Sequence, residues 1–114
     1  MGKHAQTVEE CIRRATAEVQ RLIDKAFAEM GGAPEPGSCW DQLGLRDGSE
    51  IIGEYLRYGE PGVALEHLLY MITETDLSLS VETVTLVQEA CRRMNFPEEK
   101  CGGIHAADSS TKPE

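Results

Sequence analysis

Apolar residues recur every three or four positions along the first thirty residues of the chain. The stripe consists of Val8, Cys11, Ile12, Ala15, Val19, Leu22, Ile23, Ala26, Phe27 and Met30. This spacing brings all of them to one face of an α-helix, so it predicts a long amphipathic helix. Thr7 and Glu10 have the spacing of a capping box and predict where the helix begins. Gly31 and Gly32 predict its end, because glycine readily adopts the left-handed backbone of a helix C-terminus.

Three shorter helices are predicted between residues 49 and 95 by the same apolar spacing. Asp47 or Ser49 is expected to cap the first, Pro61 suits the first position of the second, and Ser80 caps the third. Their expected inward faces are Ile51, Ile52, Tyr55 and Leu56 in the first, Ala64, Leu65, Leu68, Leu69 and Ile72 in the second, and Val81, Val84, Leu86, Val87, Ala90, Cys91 and Met94 in the third.

The long connection after the first helix is rich in glycine and proline. Residues 31–37 form a loop by composition. Ser38 and Asp41 again have cap spacing, so they predict a short helical turn that carries Trp40 and Leu43.

The remaining segments lack helical periodicity. Residues 75–80 are predicted to be a loop whose Leu77 and Leu79 plug the core, and no segment is long enough to show a strand pattern. Residues 98–114 are polar, glycine-rich and aperiodic, which is typical of a disordered tail. The predicted fold class is therefore all-α: one domain over residues 1–97, a small bundle of about four helices plus the short helical turn.

Composition agrees with a single globular domain. The chain has 114 residues, 40% of them hydrophobic but only 5% aromatic, so the core is expected to be mainly aliphatic. The sequence contains neither the roughly 18 apolar residues of a membrane helix nor the apolar segment of a secretion signal. We therefore expect a cytoplasmic protein whose four cysteines, Cys11, Cys39, Cys91 and Cys101, stay reduced.

The formal net charge of −9 is concentrated in the middle of the chain. Residues 31–91 contain eleven acidic residues and two basic ones, Arg46 and Arg57, whereas the segments on either side are neutral. Such a field repels nucleic acids and anionic membranes and attracts basic proteins. We therefore expect a protein partner, with no nucleic acid and no membrane.

Catalytic and metal-binding constellations are not evident. His67 is the one histidine within a predicted helix, and Cys11 and Cys91 lie on apolar faces, where a buried thiol is the simpler interpretation. Cys101 and His105 could supply one pair of zinc ligands, but no C-x-x-C pair accompanies them. Glycine motifs that bind phosphates or dinucleotides are missing. We predict no enzyme activity, no metal and no cofactor.

Carboxylates share helix faces at four-residue spacing in the acidic segment. Glu50 pairs with Glu54 in this way, and Glu66 and Glu74 flank Tyr70. A solvated helix face is one interpretation; a docking surface is the other, because a basic partner would offset the cost of about 0.2–0.5 kcal/mol per like-charge pair. The predicted partner-binding patch consists of Glu50, Glu54, Glu60, Glu66, Tyr70, Glu74 and Asp76.

Residues 53–95 carry a more specific pattern. It runs from Gly53-Glu54-Tyr55-Leu56-Arg57-Tyr58-Gly59-Glu60 through Ala64-Leu65-Glu66-His67-Leu68 and Glu74-Thr75-Asp76-Leu77-Ser78-Leu79-Ser80 to a closing helix that ends in Met94. This pattern resembles the small immunity proteins of bacterial contact-dependent and polymorphic toxin systems, in particular the Maf-type immunity family. The resemblance covers a little over a third of the chain. It implies tight binding to a cognate toxin, which is neutralised in the cell that makes it, and it leaves Glu66 with either an interfacial or a structural role.

Other functions fit the sequence less well. A helical adaptor or effector chaperone would bind a basic protein partner without inhibiting it. An enzyme would need a polar cluster in a pocket. The helices predicted at 49–58 and 61–74 could form a helix-turn-helix, but their negative charge opposes contacts with DNA phosphates.

Overall fold

The computed structural model describes residues 7–38, 40–75, 77–101 and 104–106, which form a bundle of five α-helices. The helices are α1 (Val8–Glu29), α2 (Gly48–Arg57), α3 (Pro61–Thr75), α4 (Val81–Arg93) and α5 (Glu98–Cys101). Two strands of two residues each, β1 (Ser78–Leu79) and β2 (His105–Ala106), pair in parallel. The predicted all-α class is therefore confirmed, although this strand pair is too short to leave a pattern in the sequence.

The long helix α1 lies against all three of the other main helices, α2, α3 and α4, while α2 and α3 pack together as a hairpin. At its start, the side chain of Thr7 accepts the N–H of Glu10 and the side chain of Glu10 accepts the N–H of Thr7, both at 3.0 Å. At its end, Gly31 has a φ of +78°. Both predicted boundaries of α1 are therefore confirmed.

The core between these helices is largely aliphatic, as the composition predicts. α3 packs against both α1 and α2, and Leu68 at its centre is 0% exposed. Leu77 and Leu79 plug the core from the connection before α4, as predicted. Val81 was expected on the inner face of α4 but is 48% exposed, since it lies in the first turn, directly after the N-cap Ser80.

A half-buried carboxylate fastens α1 to α4. Glu18 accepts hydrogen bonds from the N–H and the hydroxyl of Ser80, each at 2.8 Å, and from the hydroxyl of Thr83 at 2.7 Å. Burial alone would raise the pKa of Glu18, but the hydrogen bonds from Thr83 and Ser80 outweigh it and lower the pKa below its ordinary value. The carboxylate of Glu18 and the N-cap of α4 thus form a single network between two helices.

The chain reverses after α4 and is fastened by a disulfide. Asn95 has a left-handed backbone, with a φ of +59°, and the N–H of Phe96 donates to the carbonyl oxygen of Cys91 at 2.9 Å. The turn carries α5 back against α4, where Cys101 is bonded to Cys91 across a Cα–Cα distance of 6.7 Å. The prediction of reduced thiols is therefore wrong for this pair, because the reversal joins cysteines that are ten positions apart in sequence.

The segment predicted to be a disordered tail begins with ordered structure. Residues 98–101 form α5, whose Lys100 pairs with Glu66 of α3 at 3.1 Å, and β2 pairs with β1. Residues 107–114 of the predicted tail lie outside the described residues, as does Cys39. Within the part of the chain that is described, no helix combines the length and the apolar character needed to cross a membrane.

Candidate partner-binding site

An open cleft of about 900 Å³ lies between the end of α1, the loop before α2, and the outer faces of α2 and α3. It is lined by Phe27, Pro34, Trp40, Asp41, Gln42, Leu43, Gly44, Arg46, Asp47, Ile51, Tyr55, His67 and Tyr70. Most of these side chains are aromatic or aliphatic, with a few polar groups among them, which is the usual composition of a binding site. Because the cleft is open to solvent, it suits a protruding side chain of a protein better than an enclosed small molecule.

One wall of the cleft is aromatic and is built around the end of α1. The rings of Phe27 and Trp40 meet edge to face with their centroids 5.8 Å apart. The guanidinium of Arg46 lies over Phe27, 4.5 Å from the ring centroid, and donates a hydrogen bond to the carbonyl oxygen of Gly32. Arg46 therefore ties the loop back to α1, and it adds one positive charge to the lining of the cleft.

The facing wall is α3, which holds the loop through two side chains. The hydroxyl of Tyr70 donates to the carbonyl oxygen of Leu43 at 2.6 Å, and Nε2 of His67 lies 2.9 Å from the carbonyl oxygen of Gly44. A histidine nitrogen that hydrogen-bonds a carbonyl must carry the proton. Burial, and to a smaller extent the charge of Glu74, raises the pKa of Tyr70, so its hydroxyl remains a donor at neutral pH. The side chains of α3 thus hold the loop through its backbone carbonyl groups.

Beneath the loop, the buried side chain of Gln20 from α1 takes the place of the predicted cap of α2. Its Nε2 donates to the carbonyl oxygen of Leu45 at 3.0 Å, and its Oε1 accepts the N–H of Ser49 at 2.7 Å. Asp47 occupies the N-cap position, but its side chain makes no cap hydrogen bond and lines the cleft instead. The predicted local cap by Asp47 or Ser49 is therefore wrong, because a residue remote in sequence supplies the acceptor.

The loop also differs from the predicted short helical turn. Residues 40–47 form irregular turns, and Asp41 accepts the N–H of Gly37 at 2.9 Å instead of capping a helix. Leu45 is fully buried and anchors the loop, whereas Leu43 is 92% exposed. An isolated exposed leucine is ordinary. This one stands at the edge of an apolar cleft, on a backbone held from α3, and it therefore extends the apolar surface of the site.

The predicted acidic patch is divided among several surfaces. Glu50 and Glu54 line a small groove on α2 together with Arg57, which pairs with Glu54 at 3.0 Å, and with Ile51, which also lines the cleft. Tyr70 lies within the cleft itself, and Glu74 accepts a hydrogen bond from a loop side chain at 3.3 Å. These four predicted residues therefore adjoin the cleft or form part of it.

The other predicted residues lie elsewhere. Glu60 is exposed just before α3 and does not line the cleft. Glu66 forms an exposed salt bridge with Lys100 of α5 and does not line the cleft. Asp76 lies outside the described residues.

Folding neutralises part of the acidic segment with basic residues from the two flanks. On α4, Glu82 pairs with Arg14 of α1 at 3.1 Å, and Glu89 pairs with the two arginines that end the helix. Among the described residues of the segment, the acidic side chains that form no salt bridge are Glu35, Asp41, Asp47, Glu50, Glu60 and Glu74. Two of these line the cleft and two more adjoin it, so the uncompensated charge is concentrated around the cleft.

Several residues of the cleft were not predicted as functional. Asp41 and Asp47 were expected to act as local caps, and Trp40 and Leu43 were assigned to a helical turn. One signal was present in the sequence: the single tryptophan of the chain lies in a loop that has no apolar periodicity to place it in the core. No feature of the sequence indicated that the loop lies close to α3.

His67 and Cys11 carry the imidazole and the free thiol of the described helices. Nε2 of His67 is engaged by Gly44, and burial raises the pKa of the free thiol of Cys11, which disfavours a reactive thiolate. No group of three histidine, cysteine or carboxylate side chains is placed to hold a metal ion in the described parts of the chain. Comparison of the chain with protein-family models, with curated proteins and with solved structures gives no match.

Proposed function

We propose that this protein binds a basic partner protein in the cytoplasm of the producing cell and neutralises it, as an immunity protein of a bacterial toxin system does. The observation that carries the proposal is the concentration of uncompensated carboxylates around an open aromatic cleft. Aromatic side chains that can be desolvated supply binding energy at protein interfaces, and charges around them steer the encounter.

The toxin in this proposal rests on the resemblance of residues 53–95 to immunity proteins and on the charge. Nuclease toxins bind a phosphate backbone and are therefore basic. An inhibitor with an acidic surface would associate with such a toxin rapidly and would compete with its substrate. A chaperone for a basic effector would need the same surface, so the two functions differ in whether the bound partner remains active.

The first experiment separates these two functions. The protein is co-expressed with the toxin candidate encoded beside it, and growth of the host is measured. Neutralisation predicts rescue of growth together with a complex that co-purifies. A co-purifying complex in which the partner remains toxic would contradict the immunity proposal and favour the chaperone.

The second experiment tests the charge in the association step. In the Glu50→Lys/Glu54→Lys double variant, the association rate with the co-purified partner should fall, because the charge beside the cleft is reversed at Glu50, which forms no salt bridge, and at Glu54, which is paired with Arg57. Raising the salt concentration should slow the wild type in the same direction by screening. Glu98→Lys/Glu99→Lys on α5 is the matched control, with the same change of charge on an exposed helix that does not line the cleft. Association rates that respond equally to both double variants would reject a localised acidic docking surface.

A further inference from the structure

We propose that the cleft is the anchor pocket of this interface and that it takes an arginine side chain of the partner, with Leu43 as an apolar contact at its rim. The inference rests on the proposed function for the identity of the partner. It adds the chemistry of the group that enters the cleft, which an acidic surface alone does not specify.

The walls of the cleft favour a side chain that is apolar along its length and positively charged at its end. Trp40, Tyr55 and Ile51 provide apolar surface, and Tyr55 is 37% exposed and thus open to contact. Asp41 and Asp47 place carboxylates in the same lining, and neither forms a salt bridge within the described residues. Arginine matches this combination because its methylene stem packs on apolar surface while its planar head stacks on aromatic rings and pairs with carboxylates.

The protein already contains one such arrangement. Arg46 stacks over Phe27 at the α1 end of the cleft and is tied to Gly32. That contact shows that the aromatic wall accepts a guanidinium. Trp40, Tyr55 and the carboxylate of Asp47 belong to the same lining, and within the described residues neither ring has a cation over it and Asp47 forms no salt bridge.

The rim of the cleft is fixed before a partner arrives. The carbonyl oxygens of Leu43 and Gly44 are held by Tyr70 and His67, and buried Leu45 anchors the next position of the loop. Gly44 has a φ of +84°, and a Cβ atom there would lie 2.8 Å from the His67 ring, so the approach of the loop to α3 requires glycine. A rim held in this way loses little conformational entropy when Leu43 is covered, which favours its use as a contact.

Trp40 makes the pocket testable, because it is the only tryptophan in the chain and it lies in the cleft. The full-length protein is titrated with the blocked peptide acetyl-Ala-Arg-Leu-Arg-Ala-amide while Trp40 emission is recorded. The matched peptide replaces both arginines with citrulline, which keeps the shape and removes the charge. We expect a saturable change with the arginine peptide and about fivefold weaker binding of the citrulline peptide.

Two variants locate the effect. Asp47→Asn should weaken the arginine peptide by about twofold to fivefold, because one carboxylate of the pocket is lost. Glu60→Gln removes one charge from an exposed position that does not line the cleft, and it should leave the affinity unchanged. Equal binding of the two peptides, an equal loss in the two variants, or the absence of a saturable change in Trp40 emission would each overturn the inference.

The partner complex supplies an independent readout. Leu43→Ser should raise the dissociation rate from the co-purified partner by about tenfold or more, as expected when a buried leucine contact is lost. An unchanged dissociation rate would remove Leu43 from the anchor site.

The outcomes also separate this inference from the proposed function. If the arginine peptide binds as expected and growth is not rescued, the pocket stands and the immunity function is wrong. If growth is rescued and the peptide discrimination fails, the immunity function stands and the pocket is wrong.

Discussion

The side of the molecule built by α1, α3 and α4 and the side that holds the cleft are constructed in different ways. The first side is closed by aliphatic side chains at helical spacing, and two of its three buried threonines bond within their own helix, as Thr16 does to the carbonyl oxygen of Ile12 at 2.7 Å. The cleft side is aromatic and open, and its loop is held by a few hydrogen bonds from Gln20, His67 and Tyr70. The comparison teaches that the packing of the core is spread over many repeated contacts, whereas the shape of the cleft depends on a few hydrogen bonds between residues distant in sequence.

The largest expected loss of stability concerns the side built by α1, α3 and α4. Leu68→Ala should lower the free energy of unfolding by about 2–5 kcal/mol, because a fully buried leucine at the centre of α3 leaves a cavity when truncated. Denaturant unfolding followed by circular dichroism measures the change. A loss below about 1 kcal/mol would show that α3 relaxes around the site.

The next expected effect concerns the disulfide that fastens α5 to α4. Cys101→Ser should lower the free energy of unfolding by up to about 3 kcal/mol, since a bridge across ten positions restricts the unfolded chain. Reducing the wild type should give the same loss. Cys11→Ser is the control, because it removes a free thiol and keeps the disulfide, so it should lose as much stability on reduction as the wild type does. Because the proposed function is cytoplasmic, we expect the reduced protein to remain folded and to bind its partner. Unfolding on reduction at 25 °C would contradict that location.

A smaller effect is expected where α1 meets α4. Glu18→Gln should cost about 1–3 kcal/mol at neutral pH, because an amide offers one acceptor oxygen to donors that bond both carboxylate oxygens, and its NH₂ would face the N–H of Ser80. The lowered pKa of Glu18 means that its contribution is complete above the ordinary glutamate value of 4.5 and is lost as the pH falls below that value, through the folded-state pKa. Stability measured between pH 7 and pH 3 should therefore fall less steeply in the variant.

Glu89→Gln is the control for that pH profile. Hydrogen bonds from Arg93 and Arg92 also lower the pKa of Glu89, so protonation of Glu89 likewise reduces the stability of the protein as the pH falls. Its carboxylate bonds exposed arginines and not a helix cap, and we expect the neutral-pH stability to change less than in Glu18→Gln. Equal losses in the two variants would argue against the special role of the α1–α4 network.

The smallest effect on stability sharpens the comparison most directly. Leu43→Ala makes the same chemical change as Leu68→Ala, but at a residue that is 92% exposed, so the free energy of unfolding should change by less than about 0.5 kcal/mol. Affinity for the partner should fall in this variant, whereas a moderately destabilised but folded Leu68→Ala protein should keep its affinity. Denaturant unfolding and biosensor binding on both variants test the separation. A large loss of stability in Leu43→Ala would show that the exposed leucine supports the loop itself.

The fold was largely predictable because apolar periodicity and capping residues act locally. The stripe of α1, the capping box at Thr7 and the cap at Ser80 depend on residues within a few positions of one another. The cap of α2 was not predictable in this way, because its acceptor comes from Gln20, 29 positions before Ser49. The pairing of Cys91 with Cys101 likewise depends on the chain reversal at Asn95.

The candidate site was only partly predictable for a related physical reason. Counting charges along the chain located the acidic segment correctly, but it could not show that Lys100 reaches Glu66 or that Arg14 reaches Glu82. Those pairs move the uncompensated charge towards the cleft. A count along the sequence yields the total charge of a segment. The electrostatic field that a partner meets depends instead on which charged side chains folding brings together.

The attachment of the loop through its backbone has a consequence for how new specificities could arise. Tyr70 and His67 hydrogen-bond the carbonyl oxygens of Leu43 and Gly44, which every amino acid has. A substitution at position 43 therefore changes the exposed side chain and keeps the hydrogen bonds that hold the loop. Position 44 cannot vary in the same way, because a side chain there would collide with His67. The cleft therefore has a fixed loop backbone and, at position 43, a side chain that can be exchanged. If the cleft binds a partner as proposed, diversifying residues 41–43 while keeping Gly44, His67 and Tyr70 should give variants that bind different partners.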